Sequence, residues 1–175
     1  MDVTLIVDGA NVMGSRADGW WRDRAGAMAR LHGELAALAA RGLTGPVPGT
    51  AGAGQSGGTA GAEAAAGADG SAGADGGAGA GEPAGPAGEA AGGRWFPHVC
   101  LVVEGRTWAV LDLVAPAPRV RVVAARGEGD DEIATLAGRL TGRRVVVTAD
   151  RELRRRCEAA GAAIAGPGWL IRQFG

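Results

Sequence analysis

Hydrophobic residues fall along the chain in short blocks, each stopped by a charged or turn-forming residue. Val3–Val7 is apolar or β-branched throughout and predicts a buried strand; it halts at Asp8, followed by Gly9, Ala10 and Asn11, read as a tight turn. In Asp23–Arg41 the positions Met28, Leu31, Leu35 and Leu38 repeat at helical spacing, with Asp23 as N-cap and Gly42 as stop. Further strands are predicted at His98–Val103, Arg119–Ala125 and Arg143–Thr148. Helices are expected from near Asp130, where Ile133, Leu136 and Leu140 mark the apolar face, and from Arg151. "GAAIAG" suits a short fifth strand and "GWLIRQF" a last helical turn. Strands that are apolar on both faces and alternate with helices imply an α/β fold: a mostly parallel, Rossmann-like sheet of four to five strands with helices on both faces.

One stretch breaks this pattern. The 50 positions 44–93 hold 18 Gly and 16 Ala, and no Leu, Ile, Phe or Trp. Nothing in them can build a core, so they read as a disordered low-complexity insert within a single domain spanning 1–175. A G-x-G-x-x-G match at Gly52–Gly57 follows no strand and lies inside this tract, so it carries no nucleotide-binding signal. The insert holds five acids and no base, which leaves 18 Arg against 14 acids elsewhere, a balance of +4. All bases are Arg, which excludes a Walker A loop. Arginine suits phosphate contact, and GC-rich coding explains the same bias. Cys100 and Cys157 form no metal-ligand pattern, and no apolar run is long enough to span a membrane. No membrane partner is expected, and a reducing, cytoplasmic setting is.

Acids stand at the carboxyl ends of the predicted strands: Asp8, Glu104, then Asp130 and Asp131 past a short loop, then Asp150. In an open parallel sheet those ends meet at one edge, where ligands bind. Carboxylates gathered there repel one another, and a hard divalent cation would relieve the repulsion. Taken singly, Asp130, Asp131 and Asp150 are also good helix caps, and Asp8 a good turn residue. Trp20 and Trp21 precede the first long helix; they either pack on the core or stack on bases.

Four segments, "LIVDGANVMG", "LVVEG", "GDDEIATLA" and "VVVTADREL", resemble in order and placement those of NYN-domain proteins of the PIN-like nuclease superfamily, in its YacP-like branch. The resemblance covers the chain outside the insert. It implies a ribonuclease that hydrolyses RNA with Mg²⁺ or Mn²⁺. It implies catalytic roles for Asp8, Asn11, Asp130 (preferred over Asp131) and Asp150, with the metal held by Asp8, Asp130 and Asp150 and Glu104 as a further ligand. Asn11, Thr148, Arg151 and Arg155 would contact substrate, although the arginine run also reads as a solvated face. Two departures are Glu104, where Asp is frequent, and Ala149, where Ser is frequent. A non-catalytic RNA-binding adaptor and a hydrolase of free nucleotides are the alternative functions. RNA is the expected partner, with pairing of two copies as a homodimer left open.

Overall fold

A computed structural model describes residues 2–49 and 93–174. Five parallel strands form the main sheet: β1 (Val3–Asp8), β4 (His98–Val103), β5 (Val120–Ala124), β6 (Arg143–Val147) and β7 (Ala163–Ala165), in the order β5-β4-β1-β6-β7. The helices are α1 (Gly9–Gly14), α2 (Arg24–Arg41), α3 (Gly129–Arg139), α4 (Arg151–Ala159) and α5 (Pro167–Ile171). No helix among them is long and apolar enough to cross a membrane.

Strand alternation divides the core between the two faces of the sheet. Leu5, Val7, Val99, Leu101, Val145 and Val147 point into one cluster with Met28, Leu31, Leu35 and Leu38 of α2. Ile6, Cys100, Val102 and Val146 point into the other, with Ile133, Leu136, Leu153 and Cys157 from α3 and α4. Every inward residue of β1 therefore has a helix to pack on, which is why its sequence is apolar on both sides. Both cysteines are free, buried thiols, and burial pushes Cys157 up to about 11.

Two elements depart from the sequence reading. Gly9 does not form a tight turn: it begins α1, with Asp8 as N-cap. A Cβ on Gly9 would lie 2.7 Å from the Val102 carbonyl oxygen and 2.8 Å from Met28 Cε, so the missing side chain lets α1 and α2 close onto β4. The second departure concerns the insert. Residues 50–92, including the Gly52–Gly57 motif, lie outside the described residues, but the segment expected to begin at Thr44 is structured at its edges. β2 (Leu43–Thr44) pairs antiparallel with β3 (Arg94–Trp95), Trp95 Nε1 donates to the Gly45 carbonyl at 3.1 Å, and Val47 is buried.

Gly9→Ala is expected to destabilise the protein by about 1–3 kcal/mol, because the clash involves backbone as well as the flexible Met28 tip. A urea midpoint equal to that of the wild type would show that α1 and β4 can separate without cost.

Candidate active site

The carboxyl ends of β1, β4 and β6 and the start of α3 enclose a cleft of about 520 Å³ lined by Asp8, Asn11, Glu104, Asp130 and Asp150, with Ser15 at its rim. Asp8 closes β1 and is only 8% exposed. Its Oδ1 accepts the Asn11 N–H at 3.0 Å, and its Oδ2 accepts the Thr148 hydroxyl at 2.9 Å. The same Thr148 oxygen accepts the Asp150 N–H at 3.2 Å, so a single hydroxyl joins the Asp8 carboxylate to the Asp150 backbone. A second tie runs from the Ala149 N–H to Asn11 Oδ1 at 3.0 Å, which leaves the Asn11 NH₂ as the donor end of that amide.

The other acids also sit at helix starts. Asp150 caps α4, its Oδ1 accepting the Leu153 N–H at 2.8 Å. Neither Asp130 nor Asp131 caps α3; Glu128 is the N-cap residue, without a side-chain bond, and Glu104 reaches across from β4 to accept the Gly129 N–H at 2.6 Å. A Cβ on Gly129 would stand 2.8 Å from that Glu104 oxygen, so glycine is what admits the bond.

Burial is the main cause that raises the Asp8 carboxyl above the ordinary carboxylate range; the Asn11 and Thr148 bonds oppose it, and Asp130 and Glu104 add to it. Asp130 is raised by partial burial, then by Asp150 and Glu104, against a lowering by Arg156. The acids therefore sense one another across the cleft. Among the described residues, however, no three His, Cys, Asp or Glu side chains are grouped closely enough to hold a metal ion.

Of the residues named from sequence, Asp8, Asn11, Glu104, Asp130 and Asp150 share the cleft, and Thr148 lies fully buried beneath it. Asp131 turns away to an ion pair with Arg156 at 2.7 Å. Arg155 is paired on the α4 surface with Glu152, and Arg151 is exposed and does not line the cleft. The sequence reading gave no role to Arg154, whose Nε donates to the Thr148 carbonyl at 3.2 Å. Its position four residues after Asp150, on the same helix face, was the available signal. Ser15, whose hydroxyl donates to the Asn11 carbonyl at 2.8 Å, carried none.

Among solved structures, the chain is similar to a Trp-to-Leu variant of Rae1 (YacP) from Bacillus subtilis, with a TM-score of 0.56 at 15% identity, over 99% of this chain and 75% of that one. The likeness is one of fold: a five-stranded parallel sheet flanked by helices. No protein-family model and no curated protein matches the sequence.

Two outcomes test the site. Asp150→Ala should cost about 1 kcal/mol through loss of the α4 cap, and Asp150→Asn almost nothing; equal losses in urea unfolding would show that the charge, not the cap, matters. For Asp8, a folded-state pKa above the unfolded one means that its contribution to stability is complete below the ordinary carboxylate range and is lost as pH rises through the raised value. Asp8→Asn does not titrate, so its stability relative to the wild type should rise as pH is taken upward out of the ordinary carboxylate range. A difference independent of pH would mean that ionised Asp8 is buried without cost.

Proposed function

We propose that the chain is a divalent-metal-dependent ribonuclease acting at the Asp8–Glu104–Asp130–Asp150 cleft. The observation that carries this reading is the convergence of four carboxylates from separate elements on one cleft, with Asp8 and Asp130 each raised partly by their acidic neighbours. The resemblance of the sequence to the YacP-like branch and the likeness of the fold to a YacP structure agree with it.

The donor set is hard carboxylate oxygen, which fits Mg²⁺ or Mn²⁺ in chemistry, although the acids line the cleft without closing on one point. Asp8, Asp130 and Asp150 would hold the ion, with Glu104 at the margin. When bound, such an ion supplies neutralisation of phosphoryl oxygens and a more acidic water. The chain's own groups do the rest. Thr148 and the Asn11 N–H fix both oxygens of Asp8. The Asn11 NH₂, oriented by the Ala149 bond, would donate to a non-bridging phosphate oxygen. Water adds to phosphorus and gives up a proton, the P–O ester bond breaks, and the departing oxygen takes up that proton and leaves as a hydroxyl.

A second reading, a non-catalytic RNA-binding module, draws on a specific observation: Asp8 is buried with both oxygens engaged, and no metal group is preformed among the described residues. Labelled single-stranded RNA separates the two. Cleavage should require Mg²⁺ or Mn²⁺, stop with EDTA, and fall about a hundredfold or more in Asp8→Asn and Asp150→Asn. Cleavage insensitive to both substitutions would remove the site, and binding without cleavage under either metal would favour the module. Hydrolysis confined to mononucleotides would move the substrate from polymer to free nucleotide.

A further inference from the structure

A 3-10 turn, Trp20–Arg22, stands beside the acidic cleft. Its Trp20 Cζ2 comes within 3.9 Å of the point a Cβ on Gly14 would occupy, and Gly14 lines that cleft. A neighbouring hollow of about 400 Å³ has Trp20 and Arg24 in its wall and shares Ala10 and Glu104 with the cleft. The two hollows thus adjoin, and Arg24 is also in the wall of a third, of about 510 Å³, which holds Trp21 and Arg22.

Trp20 is half-buried against the core, so the fold accounts for it. It does not account for Trp21, which is 58% exposed and stands edge-on to Trp20, with ring centroids 6.3 Å apart. The Arg24 guanidinium lies over Trp20 at 5.4 Å and that of Arg22 over Trp21 at 6.0 Å. Among the described residues neither arginine is ion-paired. Asp23, between them, is engaged by the Gly26 N–H, to which its Oδ1 lies 2.8 Å away.

The geometry points to this turn as a base-stacking subsite for single-stranded nucleic acid whose backbone continues into the acidic cleft. This rests on the nuclease reading for what happens in the cleft, but not for the binding itself. A cleft lined by four carboxylates repels a phosphate chain, so affinity has to come from groups outside it. An exposed indole offers a stacking surface to a base freed from a duplex, and two guanidiniums that rest on the indoles, with no ion pair among the described residues, offer charge to the phosphates on either side of that base. A ligand that has flat rings and negative charge in alternation, and is long enough to reach from Trp21 past Arg24 to the acidic cleft, is a single-stranded polynucleotide. A protein segment would use the indole but has no need of the adjoining acids.

The test uses the full chain in EDTA, so that no hydrolysis intervenes, with labelled oligouridylate, oligoadenylate and an abasic oligomer of equal charge, read by anisotropy and by quenching of tryptophan emission. The wild type should bind the base-bearing oligomers more tightly than the abasic one and be quenched by them. Trp21→Ala should weaken binding about five- to a hundredfold and bring it to the abasic level, with Trp21→Phe restoring most of it. Trp21 is exposed, so circular dichroism should match the wild type. Arg24→Gln should lessen the salt dependence for all three oligomers alike. Equal affinity of Trp21→Ala and wild type, or no preference over the abasic oligomer, would overturn the subsite; absence of binding to any oligomer would overturn it in favour of a protein partner. The nuclease reading fails separately: Trp21-dependent binding with no metal-dependent cleavage sinks that reading alone, and Asp150-dependent cleavage unaffected by Trp21→Ala sinks the subsite alone.

Discussion

The hydroxyl of Thr148 holds the carboxyl edge of the sheet together. It donates to the buried Asp8 carboxylate and accepts from the Asp150 backbone, while the Asn11 amide makes a parallel tie to Ala149. A carboxyl group at 8% exposure is tolerated only if its oxygens are satisfied, and here one is satisfied locally and the other from the neighbouring strand's end. Two helices start from this knot: α1 at Asp8 packs into one core cluster, and α4 at Asp150 into the other. The register between β1 and β6 and the relative placement of both helices therefore depend on the same few polar atoms.

The acids of the cleft also have structural duties. Asp8, Glu104 and Asp150 each accept a backbone N–H at the start of a helix. From the sequence, cap and ligand stood as competing accounts of Asp150, and turn and ligand of Asp8; the structure shows all three acids bonded at helix starts, and the same side chains line the cleft. The exposed amides and favourable dipoles of α3 and α4 offset part of the charge repulsion. This gives a physical reason why the acids coexist while no preformed metal group is found among the described residues.

The central elements were legible because burial on both sheet faces demands uninterrupted apolar runs, and because α2 is long enough to display its period. α1 was not legible: six residues bounded by two glycines show no period, and its formation depends on Asp8 and on the close approach to Val102. The β2–β3 hairpin was hidden because two-residue strands have no pattern, and Thr44 and Val47 lie inside a Gly/Ala-rich composition. In the site, adjacent aspartates could not be told apart until α3 was phased from Gly129, which turns Asp130 to the cleft and Asp131 to Arg156. Arg155 lies outside the cleft, on the α4 surface, paired with Glu152 one turn earlier.

The small hairpin also has a mechanical meaning. Leu43–Trp95 and Thr44–Arg94 clasp the chain where the long Gly/Ala-rich stretch departs and returns, with the Trp95 indole latched to Gly45. Tension along that stretch would be borne by the buried Val47 on one side and by this clasp on the other. α2 and β4 stay shielded until both give way.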